Sequence, residues 1–201
     1  RIFRELITRP IVLEAMDDLF DRETSHNKYT LSSFQANIIG PGGTEQKLHI
    51  DNAFPEPLPA YNTAGKNLMQ ANTVWVLDDY TQDNGATWYL PGSHKFGCKP
   101  RPADQSRSDL IQLSGVKRGS LAIHNGLLWH KSGENRTAND RIVLLGSFAA
   151  SFFRDISNEE EYLKVLDDDV IEQSSVKLRE LVGIGHGVHR GALQPPLEWD
   201  E

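Results

Sequence analysis

Residues 72–94 read NTVWVLDDYTQDNGATWYLPGSH, and the punctuation of this stretch decides the fold. Residues 72–77 are β-branched and aromatic, as a half-buried strand requires. Asp83-Asn84-Gly85 supplies a turn, residues 87–90 form a second short strand, and Pro91-Gly92-Ser93 stops it. Working outward, the same rhythm recurs. Residues 34–39 read as a strand closed by Gly40-Pro41-Gly42-Gly43, residues 48–51 as a very short one, and residues 119–124 and 141–148 as two more. The segment between those last two, with Gly126, Gly133 and Asn135, reads as a loop. Helical spacing is confined to the flanks. Apolar residues from Ile2 to Phe20 recur near helical intervals, and Pro10 divides them into a short piece and a helix over 11–20. Residues 155–182 turn acidic and helical, and a Gly/Pro-rich coil follows Gly183. Short strands at irregular intervals with helices only at the margins predict a mainly β, double-sheet jelly roll. A single domain over 1–201 is expected, with its core at about 33–150.

The bulk numbers narrow the function classes. A hydrophobic content of 38% and a charged content of 24% suit an ordinary globular protein. The net charge of -7 argues against a nucleic-acid partner, whose phosphates demand a Lys/Arg surplus. No apolar run reaches the ~18 residues of a membrane span, so no membrane partner is expected. Cys98 is the only cysteine, which removes any internal disulfide and makes a cytoplasmic setting the default expectation.

His49-Ile50-Asp51 is the first motif with chemistry in it. On a strand, residues i and i+2 share a face about 7 Å apart, so an imidazole and a carboxylate can converge on one ion. H-x-D is common by chance and needs a third ligand. His94, His124, His130, His186 and His189 are available. Two His and one carboxylate on one face of a metal leave three positions open, the arrangement of non-haem Fe(II) oxygenases. Zinc also accepts such ligands. His130 is favoured by its surroundings: Ser132 lies two residues on, and Arg141 opens an apolar strand. An Arg at that place either faces solvent or points inward and needs an anion. A guanidinium grips a carboxylate through two parallel hydrogen bonds, and Ser132 can add a hydroxyl. A chelating 2-oxo acid needs such a clamp beside a metal with open positions.

Taken together, His49-x-Asp51, the Trp75 strand, Asn84-Gly85 leading to Pro91-Gly92-Ser93-His94-Lys95, His130-x-Ser132 and Arg141 resemble the phytanoyl-CoA dioxygenase family. The resemblance covers roughly residues 33–148. It implies a cupin-like double-stranded β-helix with Fe(II) held by His49, Asp51 and His130. It further implies 2-oxoglutarate and O₂ as co-substrates, with Arg141 and Ser132 on the distal carboxylate of 2-oxoglutarate. Asn37, with Gln35 on the same face, fits the family's amide on the strand before H-x-D. Trp75 resembles an aromatic placed against the co-substrate. Halogenating relatives carry Ala or Gly in place of the carboxylate; Asp51 is kept here, which argues against halogenation.

The substrate is expected to be a small organic molecule, of which a specialised metabolite is one class, met by the segments after H-x-D and after the Pro91-Gly92 turn. Phe54, Tyr61 and Trp129 are its candidate contacts. Lys99, Arg101 and Arg107 are candidate contacts to an anionic group, read more simply as solvated charges. Two other classes remain open on the same residues. One is a cupin-like metal hydrolase or isomerase, in which Arg141 has no carboxylate to hold. The other is a jelly-roll binding module without catalysis.

Overall fold

A computed structural model of the chain describes residues 2–20, 29–51, 56, 68–150, 170 and 172–182. Two helices open it, α1 (Ile2–Ile7) and α2 (Pro10–Leu19), with Pro10 in the first turn of α2, where its missing N–H costs nothing. Seven strands follow: β1 (Tyr29–Ile39), β2 (Gln70–Val76), β3 (Thr87–Tyr89), β4 (Ile111–Gln112), β5 (Leu121–Asn125), β6 (His130–Ser132) and β7 (Arg141–Ala150). A last described helix, α3 (Val176–Leu181), is capped by the Ser175 hydroxyl, which accepts from Leu178 N–H.

The strands form two antiparallel sheets. One has the order β1-β7-β2-β5 and the other β4-β3-β6. Facing each other, they make the jelly roll that the turn pattern predicts. Three apolar clusters hold it. Val12 and Met16 of α2, with Phe20 just beyond its end, pack with Leu178 and Leu181 against the outer face of the larger sheet, where Phe148 is fully buried. Burying such side chains contributes about 1.5–3 kcal/mol each. Leu48, Ile50, Leu90, Leu127 and Trp129 cover the outside of the smaller sheet. Val74, Val76, Tyr80, Ala86 and Val143 fill one end of the space between the sheets. Among the described residues, none of these clusters fills the other end, where a cavity lies.

The sequence expectations require three corrections here. Residues 48–51 are not a strand: only His49 pairs, through an isolated bridge to His130. The expected loop before β7 contains β6, paired with β3 through Thr87↔Ser132 and Tyr89↔His130. β4, flanked by Leu110 and Leu113, was not expected at all; two residues are too few for a visible alternation. The expected helix over 155–182 falls mostly outside the described residues. No described helix is long and apolar enough to cross a membrane.

Candidate metal centre and its cavity

The His49–His130 bridge joins two distant parts of the chain: His49 N–H donates to His130 O at 3.0 Å, and His130 N–H donates to His49 O at 2.9 Å. Leu48 and Ile50 turn outward into their apolar cluster, which sends His49 and Asp51 the other way, into the barrel. Side-chain ligand atoms of His49, Asp51 and His130 lie within 4.8 Å of one another. His49 Nε2 is 3.8 Å from Asp51 Oδ1, and His130 Nε2 is 3.4 Å from Asp51 Oδ2. Each ring is oriented by its far nitrogen: His49 Nδ1 faces Lys47 O at 2.8 Å and His130 Nδ1 faces Leu128 O at 2.9 Å. With Nδ1–H donating to those carbonyls, both Nε2 lone pairs point toward Asp51, as ligation requires. Burial holds the His130 imidazolium below its ordinary pKa, so the ring favours the neutral, ligating form.

The triad opens on a cavity of about 780 Å³ between the sheets, within the ~300–1,000 Å³ usual for small-molecule sites. Arg141 projects into it from the start of β7 and is 1% exposed. Its Nη2 donates to Ser132 Oγ at 3.3 Å and its Nη1 to Tyr80 Oη at 3.4 Å, both long bonds. Its carbon stands 5.4 Å from the centroid of the Tyr80 ring. Nε has no partner, and no ion pair among the described residues includes this side chain. Burial pulls the guanidinium below its ordinary pKa, yet arginine stays protonated in proteins. The Asn84-Gly85 turn supports this end: Gly85 has φ +80°, and a Cβ there would meet Gly133 O at 2.7 Å. That close approach lets Asn84 bridge to Asn135 behind β6.

These residues fit the group that the sequence motifs imply. Two imidazole nitrogens and one carboxylate form a facial donor set for Fe(II). An under-partnered, buried guanidinium beside a serine hydroxyl fits one carboxylate of a 2-oxo acid.

The structure also sorts the other candidates. Asn37 and Gln35 line the cavity from β1. Trp75 does not: it sits on the opposite face of β2, against the helix-side cluster, with its Nε1 buried and unpartnered. Trp129 is 3% exposed in the outer cluster of the smaller sheet and gives Nε1–H to Cys98 O at 3.1 Å, so it does not reach the cavity. Phe54 and Tyr61 lie outside the described residues. His94 occupies a short 3₁₀ turn away from the cavity.

Asn72 and Gln70 of the cavity wall escaped the sequence reading, while His124, weighed there as a third ligand, lines the cavity beside His130. Asn72 Nδ2 donates to Asp51 Oδ2 at 2.5 Å, and Gln70 Nε2 in turn reaches Asn72 Oδ1 at 3.4 Å. His124 is buried with its ring 5.0 Å from that of His130 and 5.2 Å from Tyr89. Burial, with His130 beside it, pushes the His124 pKa down to about 4. The alternation of Gln70, Asn72 and Val74 along one strand was the available signal, hidden because β2 is buried on both faces.

Comparison with known proteins agrees with this architecture. The family model for phytanoyl-CoA dioxygenase matches residues 1–143. Dioxygenase af480 of Aspergillus fumigatus is 29% identical over 185 residues, 92% of this chain and 55% of that protein. Dioxygenase aneA of Aspergillus aculeatus is 32% identical over 149 residues, 68% of this chain and 45% of that protein. The chain thus spans about half the length of these relatives. Among solved structures, HygX from Streptomyces hygroscopicus, with nickel, 2-oxoglutarate and hygromycin B bound, superposes with a TM-score of 0.61 at 19% identity. That match covers 76% of this chain and 66% of HygX. The non-heme monooxygenase ThoJ in its apo form gives a TM-score of 0.57 at 20% identity, over 75% of this chain and 58% of its own.

Proposed function

The chain belongs to the phytanoyl-CoA dioxygenase family, and from that premise we propose that it is a non-haem Fe(II)- and 2-oxoglutarate-dependent dioxygenase that hydroxylates a small organic molecule, such as a specialised metabolite. The overall reaction converts R–H, 2-oxoglutarate and O₂ to R–OH, succinate and CO₂.

Arg141 is the observation that carries this reading. A guanidinium 1% exposed, with a bare Nε and only two long hydrogen bonds, is an unfavourable way to begin a strand unless an anion completes it. Ser132 ties that anion to the metal centre, because it lies two residues from His130 on β6, about 7 Å along the strand. A five-carbon 2-oxo diacid spans such a gap. Arg141 and Ser132 hold its distal carboxylate, and Asn37 and Gln35 offer amides along its length. His49, Asp51 and His130 hold the iron, which when bound supplies the O₂-dependent oxidation. The protein's own part is to favour the neutral His130 imidazole by burial, aim both rings through Lys47 O and Leu128 O, and shelter the reacting carbon from bulk water. HygX with 2-oxoglutarate and the dioxygenase relatives support the same reading.

Turnover of 2-oxoglutarate, read by mass spectrometry of succinate and of the oxidised product across a compound library, tests it. Activity that survives omission of 2-oxoglutarate would favour a metal-dependent hydrolase or isomerase instead. Failure to bind Fe(II) would remove the catalytic reading altogether.

A further inference from the structure

The strand register gives the cavity a length scale. Along β7, Arg141, Val143, Leu145, Ser147 and Ala149 line it in turn, each about 7 Å from the one before. Ser147 pairs with Ser33 on one side and with Asn72 on the other, and Asn72 pairs with His124. This row sits at the metal, since Asn72 bonds Asp51 and His124 packs on His130. One step further from Arg141, Ala149 pairs with Gln70. On the function proposed above, 2-oxoglutarate lies between the metal and the Arg141 guanidinium, which reaches into the cavity from the start of β7 to Ser132. The remaining end, walled by Ser32, Ser33, Ser147, Gln70 and Ala149, is left for the substrate.

That end is polar without being charged. Among the described residues lining the whole cavity, Asp51 and Arg141 are the only ones with a formal charge, and the oxygenase reading gives both a task. Gln70 Nε2 donates to Ser147 Oγ at 2.8 Å, so the Ser147 hydroxyl keeps its own proton to give. Gln70 Oε1 accepts from no described residue and remains an acceptor. One donor and one acceptor held side by side match a hydroxyl group, which both accepts and donates. A hydrocarbon laid against this wall would strip its polar groups of water and return nothing, and the phosphates of a CoA ester would find no cation among the described residues of this wall.

We infer that the part of the substrate lying against this wall is a neutral, polyhydroxylated group of the sugar or cyclitol type. The test uses a library with equal numbers of neutral glycosides and cyclitols, of fatty acids and terpenoids, and of acyl-CoA thioesters. Each compound is scored for stimulated succinate release, and for saturation-transfer NMR contacts on the Ni(II)/2-oxoglutarate complex, which does not turn over. Stimulation and contacts concentrated in the neutral polyol class are expected. In the double variant Ser33→Val, Ser147→Val, whose β-branched residues suit their strands, KM for the best polyol should rise about tenfold, as expected for about 1.4 kcal/mol of lost hydrogen bonding. Its 2-oxoglutarate affinity should hold. The inference is overturned if metal and 2-oxoglutarate bind yet no neutral polyol stimulates succinate release. An unchanged KM in the double variant overturns it too, as does a matching loss of 2-oxoglutarate affinity, which would assign the row to the co-substrate. Absence of metal and 2-oxoglutarate binding instead sinks the oxygenase reading, and this inference with it.

Discussion

The two ends of the cavity keep their charges in opposite ways. At the metal end, the His49 and Asp51 side chains are 36% and 31% exposed, and water alone can satisfy them. At the other end, Arg141 is 1% exposed and forms no ion pair among the described residues, the Asp78 carboxylate acting on it only from beyond salt-bridge distance. A His49–Asp51 pair exposed to that degree is tolerable in a protein that binds nothing. A buried, under-paired cation costs several kcal/mol and persists only with a reason. The difference teaches that the triad states what the site can hold, whereas the arginine states what it is built to receive.

The largest expected effect breaks the metal end. Asp51→Ala removes the one anionic ligand, and metal affinity measured by calorimetry with Ni(II) should fall by more than about 100-fold, beyond the ~10–100-fold typical of losing an outer partner. Substrate-dependent succinate release should disappear with it. Metal affinity close to that of the unmodified chain would show that the triad is not the metal site.

Arg141→Met breaks the other end and separates the two. Affinity for 2-oxoglutarate should fall by roughly 30-fold or more, in line with about 2 kcal/mol or more for truncating a buried, hydrogen-bonded charge pair. Metal affinity should be retained. Without ligand, this variant should melt at a higher temperature than the parent chain, because replacing an under-paired buried charge by an apolar side chain of similar length is often stabilising. Equal losses of metal and 2-oxoglutarate affinity would merge the two ends into one and remove the contrast.

A smaller effect sharpens the metal end from behind. Asn72 is buried and its amide is held by Gln70, so its Nδ2–H fixes the rotamer of an otherwise half-exposed Asp51. Asn72→Leu should weaken Ni(II) binding by about tenfold, the lower end of the range for an outer partner. The effect on 2-oxoglutarate affinity measured at saturating metal should be slight. No change in metal affinity would leave Asn72 as wall and nothing more.

How much of this was legible beforehand divides along physical lines. Turn chemistry around Asn84-Gly85 and Pro91-Gly92 exposed the strands on either side, because those residues answer to local backbone geometry. His49, Asp51, His130, Ser132 and Arg141 were visible through residue type and spacing, and the fold gathers all five at one cavity. The facing of aromatic residues was not visible. β2 is buried on both sides, so Trp75 and Val74 look alike in sequence, and only the helices packed on the outer face decide that Trp75 belongs there. Trp129 precedes a candidate ligand, and that adjacency suggested the site; strand alternation sends it to the opposite face. Asn72, Gln70 and His124 matter through cross-strand neighbours, which no local pattern records.

Trp129→Phe is the mildest of these tests and calibrates the rest. The indole is 3% exposed among Leu48, Ile50, Leu90 and Leu127, and meets Phe96 edge-on with ring centroids 5.1 Å apart. Phe keeps most of that apolar contact but cannot donate to Cys98 O. One neutral hydrogen bond is lost, worth about 1 kcal/mol, and the melting temperature should drop by a few degrees on that scale. Because the Trp129 backbone N–H donates to Ser93 Oγ at 2.8 Å, the backbone that delivers His130 stays anchored in the variant. Metal affinity, 2-oxoglutarate affinity and KM for the substrate should therefore all stay unchanged. A raised KM with unaltered stability would return Trp129 to the substrate contacts that its sequence position suggested, and would mean that the cavity extends past β6 to the outer face of the smaller sheet.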